Sequence, residues 1–203
     1  MKRTYVTAIS LQGKGGLEKG VYQPNGFSLD KNIETSFPII PVIASTMGRI
    51  EDVKILVLRT ENNDVRDNYD ALLSELEVLG LSQKNVTEIL VEENQSKSIG
   101  LSTLVQILEN IPEDSLVYAD ITFGTKPMSA MILSAMNCIE NVKDTEVEGI
   151  FYGELPREAG KSDWKKAKLY DLTAYKYLTD MIEQLKGLEV SNPTSALKTL
   201  LDM

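Results

Sequence analysis

The residue types best suited to chemistry are Gly124, Thr125 and Lys126, where the run Val117-Tyr118-Ala119-Asp120-Ile121-Thr122-Phe123 gives way to an apolar segment opening at Pro127. Glycine lets backbone approach a ligand closely, threonine adds a hydroxyl and lysine an ammonium. Proline is well tolerated in a first helical turn because its missing N–H would be unpaired there anyway. A helix opening at this point would aim free amides and the positive end of its dipole at the same spot, a seat for phosphate. The same residues also make a plain strand-to-helix turn with a solvated lysine, and spacing alone does not separate the two.

Much other chemistry is excluded. The chain has no histidine, so Ser-His-Asp and Cys-His catalysis and His-ligated zinc are ruled out. Its single cysteine, Cys138, allows neither an internal disulfide nor a cysteine-rich metal cluster. That thiol sits in an apolar run and reads as a small buried hydrophobe. The cluster Gly13-Lys14-Gly15-Gly16 fits neither the dinucleotide fingerprint nor a P-loop, and reads as a flexible turn. Glu61, Asp64 and Asp67 suit the start of a helix, which attracts carboxylates, better than a metal site. Neither a metal nor a cofactor is expected.

The elements that must position the turn alternate. Strand candidates are 3–11, 53–59, 86–92, 115–122 and 147–153, rich in valine, isoleucine and leucine, as strands covered on both faces are. Between them, 65–79 and 99–111 carry apolar residues at three- and four-residue steps. Segment 127–140 is apolar almost all round and reads as a helix packed on two sides, and 173–186 is a further helix. This alternation predicts an α/β, Rossmann-like, doubly wound and mainly parallel sheet, with a C-terminal edge hairpin and helix.

Three stretches break the rhythm. Residues 13–34, with five glycines, read as an inserted loop or small hairpin. Residues 36–47, with two prolines, read as a short or kinked helix, and 160–172 as a basic turn before an edge strand. A domain over 1–186 followed by a linker or helix over 187–203 is expected. Residues 194–202 would be either a docking helix or the stump of a linker.

In such a sheet ligands bind beyond the carboxyl ends of the strands, where strand order reverses. The candidates there are Ser10 and Gln12 after the first strand, and Arg59, Asn62 and Asn63 after the second. After the fourth come Asp120, Thr122, Phe123, Gly124, Thr125 and Lys126. Arg59 could meet a phosphate or serve an ordinary ion pair.

Composition bounds the partners. Over 203 residues, 21 lysines and arginines stand against 30 aspartates and glutamates, a net charge of −9. That balance opposes binding of long nucleic acid, whose affinity comes largely from neutralised phosphates. It still permits a small phosphorylated ligand, because charge is screened over about 8 Å. With no charged-then-apolar leader and no apolar run near the roughly 18 residues of a membrane helix, a soluble, cytoplasmic protein is expected.

The run Val117 to Met128, with Asp120-Ile121-Thr122-Phe123-Gly124-Thr125-Lys126 at its heart, resembles the CARF family, the CRISPR-associated Rossmann-fold domains. Ile150-Phe151-Tyr152-Gly153-Glu154 and Leu169-Tyr170-Asp171-Leu172-Thr173 resemble that family's later strand pair. The first strand also ends, as in the family, on a small hydroxyl residue, Ser10. The likeness covers most of 1–186, but only 117–128 is specific. It implies a homodimer binding a cyclic oligoadenylate, most often the tetra-adenylate, across its two-fold axis in antiviral defence. Gly124, Thr125 and Lys126 would hold phosphate and ribose. Ser10 and Gln12 would face the ring, and Asn62 or Asn63 would read an adenine edge.

Phe123 departs from the glycine or histidine of many relatives, and would stack on a base or narrow the pocket. Family members usually carry a fused effector, and none is visible in this sequence, so the resemblance implies that this chain either acts alone or serves a separate effector protein. Some stand-alone relatives are metal-independent ring nucleases, in which a ribose 2′-OH attacks the adjacent phosphate. Here Lys126 would be the cation, and Ser10 or Thr122 would orient the hydroxyl. Binding without cleavage, cleavage, and an unrelated flavodoxin-like nucleotide binder all remain open at this level.

Overall fold

In the computed structural model, which describes residues 1–13, 17–94, 96–187 and 192–201, seven strands form one sheet. Five strands at its heart are parallel: β1 (Lys2–Ala8), β3 (Val53–Arg59), β4 (Val86–Leu90), β5 (Ser115–Asp120) and β6 (Thr145–Glu154). Side chains alternate across β1, so Tyr5 and Ile9 enter one apolar core while Val6 and Ala8 enter the other. Both faces are covered, which is why these segments read as unbroken Val-Ile-Leu runs.

The first core is closed by α1 (Ile39–Thr46) and α2 (Asn63–Val78), through Ile39, Ile43, Val65, Leu72 and Leu76. The second is closed by α3 (Lys97–Asn110) and α4 (Lys126–Val142), through Ile107, Met128, Ile132, Met136 and Ile139. From β1 the chain steps outward through β3 to β4. It then returns to lay β5 on the other side of β1, followed by β6. Order therefore reverses between β1 and β5, opening a crevice at their carboxyl ends. The expected doubly wound, mainly parallel α/β architecture is present.

Beyond β6 lies the antiparallel β9 (Lys168–Asp171), reached through the small hairpin of β7 (Arg157–Glu158) and β8 (Lys161–Ser162). The expected edge position of β9 needs correction. The insertion after β1 contributes a three-residue strand, β2 (Gln23–Asn25), which pairs outside β9 and takes the edge itself. Residues 17–22, which precede it, form a strap beside the carboxyl ends of β5 and β6, where Leu17, Glu18 and Tyr22 line a cavity with Thr122 and Gly153. Residues 14–16 of the glycine cluster lie outside the described residues.

Helix α4 packs against β1 and β6 of the sheet and against α3 and α5, yet it is not wholly buried. Its inner side is buried, but Ala130, Ser134, Asn137 and Asn141 are exposed. These small and neutral polar residues left the outer side without a charge signal. Helix α5 (Thr173–Gly187) buries only Thr173 and Lys176, and α6 (Pro193–Leu201) packs against it. Cys138 is half-buried, with its Sγ 3.6 Å from the Ala135 carbonyl. Among the described residues no helix is long and apolar enough to cross a membrane.

Candidate functional site

The crevice is built on Asp120, the last residue of β5, whose side chain is fully buried. Its carboxylate accepts hydrogen bonds from Thr7 Oγ1 at 3.0 Å, the Thr122 amide at 3.0 Å and Thr122 Oγ1 at 2.5 Å. Thr122 Oγ1 in turn accepts from the Gly153 amide at 2.7 Å. One carboxylate thus ties the ends of β1, β5 and β6 together. Burial pushes the Asp120 carboxyl up to about 6, against the hydrogen bonds from Thr122 and Thr7 that favour its charged form.

Beyond this tie the backbone turns at Gly124, where φ is +88°. A Cβ there would stand 2.8 Å from the Ala8 Cβ and 3.0 Å from the Met128 Sδ, so no larger residue fits without displacement. Thr125 is the N-cap of α4 and accepts from the Met128 amide at 3.3 Å. Lys126 is the first helical residue and is exposed. Among the described residues its ammonium makes no hydrogen bond or ion pair. Pro127 has no N–H and that of Met128 is capped, so the Lys126 amide is the open donor of this first turn.

The end of β1 faces this corner from the other side of the crevice. Ser10 is buried, its Oγ accepting from the Gln12 amide at 3.2 Å. Asn68 of α2, also buried, donates through Nδ2 to the carbonyls of Ser10 and Gln12, 2.9 Å each. The Gln12 side chain reaches outward, and its Oε1 accepts from Arg157 at 3.3 Å. Phe123 leans edge-on against Phe37, ring centroids 6.1 Å apart.

The structure brings Gln12, Thr122 and Phe123 to one cavity, with Gly124, Thr125 and Lys126 following directly in the chain and Asp120 and Ser10 buried beneath. The second strand contributes differently. Arg59 pairs with Glu88 at 2.5 Å, donates to the Thr60 carbonyl at 3.1 Å and lies 5.4 Å over the Tyr69 ring. Asn62 caps α2, accepting from the Val65 amide at 2.8 Å. Asn63 opens that helix, and its side chain lies outside the described residues.

Three residues escaped the sequence reading. Asn68 anchors the β1 turn from a helix far along the chain. Arg157 comes from the β7–β8 hairpin, whose Ala159-Gly160 turn has positive φ at both residues. Tyr22 arrives on the strap. Only the Ala-Gly pair left a local signal, as the turn of a hairpin. Between these elements, on the Phe123 side of the corner, lies a cavity of about 230 Å³. No group of side chains suited to holding a metal ion is found among the described residues.

Sheet order and open corner define a Rossmann-like α/β domain. No protein-family model matches the sequence, and no curated protein matches it. Among solved structures it is similar to Enterococcus italicus Csm6 bound to cyclic hexa-2′-fluoro-hexa-dAMP, with a TM-score of 0.50 at 9% identity. That match covers 99% of this chain and 54% of the Csm6 chain, so this chain spans about half of its neighbour's length. At such identity the likeness shows the fold alone.

Proposed function

We propose that this protein is a receptor for a cyclic oligoadenylate, most often the tetra-adenylate, held at the corner after β5 and shared by two copies of the chain. The observation that carries this reading is Lys126, exposed and unpaired among the described residues, on the first turn of a 17-residue helix beside a glycine that admits no side chain. Helix dipole, open amide and ammonium converge there on one anion. The Csm6 neighbour was solved with a cyclic oligonucleotide bound, which supports a ligand of this class.

Gly124, Thr125 and Lys126 hold phosphate and ribose in this reading, while Gln12 and Phe123 face the bases. Asp120, Thr122 and Ser10 fix the backbone beneath them. Arg59 and Asn62 are engaged by their own chain and shape the crevice from its far side. A separate effector protein would read the liganded dimer.

Binding is favoured over ring opening by one observation. Of the two candidates to orient a ribose 2′-OH, Thr122 spends its hydroxyl on donating to Asp120 and accepting from the Gly153 amide, leaving only Ser10, which accepts from the Gln12 amide. Calorimetry with cyclic tetra-adenylate tests the reading, followed by chromatography of the ligand after incubation. Intact ligand bound by wild type, with at least tenfold weaker binding by Lys126→Ala, is the expected result. No affinity for any cyclic oligoadenylate would overturn the reading, and linear products at catalytic turnover would make the protein an enzyme.

A further inference from the structure

The amino ends of the parallel strands, opposite the corner, carry a second group of cations. Lys54 lies near the start of β3, in register with Thr4 of β1, and is half-buried. Its Nζ donates to the Asn110 carbonyl at 2.6 Å. Lys143, just past α4, donates to the Ile111 carbonyl at 2.5 Å and to that of Glu109 at 3.3 Å. Two ammonium groups thus cap three successive carbonyls at the end of α3, an ordinary duty for lysine at the negative end of a helix.

That duty explains the bonds but not the amount of charge. Lys2, exposed on β1, is a third cation close enough to act on Lys54. Lys2, Lys54 and Lys143 make no ion pair among the described residues. The carboxylates nearest them in the chain are engaged elsewhere or point to solvent. Asp52 pairs with Arg49 at 2.8 Å, Glu113 accepts from the Asp144 amide at 2.8 Å, and Glu109 is exposed. A helix end carries only about half a negative charge, so three ammonium groups exceed it. Burial first, then Lys143 and Lys2, lower the pKa of Lys54 below the ordinary lysine value. More of its side chain is therefore free amine than in a solvated lysine, while its two neighbours stay cationic. A nucleophile beside two positive charges favours an electrophile that is itself an anion.

We infer that Lys54 is an acyl-acceptor site, modified by acyl phosphates that the charges of Lys2 and Lys143 draw to it. The free amine attacks the acyl carbon, and the bond from that carbon to the phosphate oxygen breaks, its electron pair leaving with phosphate. The proton lost by the amine nitrogen passes to the departing phosphate. The products are an amide on Lys54 and inorganic phosphate, and nothing is oxidised or reduced. Acylation leaves Lys54 uncharged and so relieves the surplus at the end of α3. This site does not depend on what binds at the corner.

The test is incubation of the protein with acetyl phosphate, with the acetylation of each lysine followed by peptide mass spectrometry. Lys84 and Lys186, both exposed and outside either cluster, serve as references, and the clamped Lys176 as the protected case. Lys54 is expected to acetylate about threefold or more faster than the references, and Lys176 slowest of all. Lys2→Glu changes an exposed side chain with no hydrogen bond among the described residues, so the melting temperature should hold. It should bring the Lys54 rate down to that of the references, and raised salt should narrow the difference in wild type. Acetylation of Lys54 no faster than Lys84 and Lys186 in wild type would overturn the site. A Lys54 rate unmoved by Lys2→Glu would overturn the part assigned to the neighbouring cations.

Discussion

Two lysines near opposite ends of α4 are treated in opposite ways. At the carboxyl end of the sheet Lys126 is exposed, with no partner among the described residues. At the other end Lys176 of α5 is 3% exposed and clamped between Glu140 at 2.5 Å and Asp180 at 2.7 Å. Burial opposes the Lys176 charge, but the hydrogen bonds to Asp180 and Glu140 outweigh it and hold the pKa above the ordinary lysine value. Glu140 also accepts from the Val147 amide at 2.6 Å, so the clamp joins α4, α5 and β6. A lysine that packs helices is given two carboxylates by its own chain. Lys126 is given none among the described residues, although the chain carries nine more negative than positive charges.

The corner at Lys126 is rigid beneath its exposed side chain, and Gly124→Val attacks that rigidity. Positive φ and the contact with Ala8 both penalise the added side chain, so a loss of about 3 kcal/mol or more is expected in denaturant unfolding. A loss below about 1 kcal/mol would show that the turn yields easily.

The buried tie is tested by pH. The Asp120 pKa is raised from 3.8 in the unfolded chain to about 6 in the folded protein. The folded state therefore holds its proton more tightly. The cost of ionising Asp120 is absent below about pH 4, grows between about pH 4 and 6, and is complete above. The stability of wild type relative to Asp120→Asn should fall by about 3 kcal/mol across that window. A flat difference would mean that Asp120 ionises freely in the folded state.

The clamp yields a smaller effect, because Glu140 and Asp180 are each about one-third exposed. Glu140→Ala should cost about 2 kcal/mol in thermal or denaturant unfolding, with ligand binding at the corner unchanged. Lys126→Ala should do the reverse, moving stability by less than about 0.5 kcal/mol while ligand binding is lost. Equal stability losses in the two variants would erase the distinction between the lysines.

Period and composition made much of this legible. Apolar runs marked the five parallel strands, and three- and four-residue spacing marked α2 and α3, to within a few residues at each end. The corner was legible because Gly-Thr-Lys-Pro is a local signal. What the sequence did not disclose depends on distant partners. β2 is three residues with a central proline, and only its pairing with β9 makes it a strand. Ser10 resembles an exposed loop hydroxyl until Asn68, 58 residues later, pins its carbonyl inward. Arg59 ends a strand as expected, and only the arrival of Glu88 from β4 decides where its charge is spent. Tyr22 lies in a glycine-rich stretch with no periodicity to betray its burial.

The strap also bears on the order of assembly. Residues near position 20 complete the edge only by lying against a strand formed near position 170, so this early segment has nothing to register with until almost the whole sheet exists. Joining ends so distant in sequence makes it a late step in folding. The cavity that Tyr22 lines is therefore among the last features to mature, and a shortened chain ending before β9 would leave that wall unbuilt even with the Gly124–Lys126 corner formed.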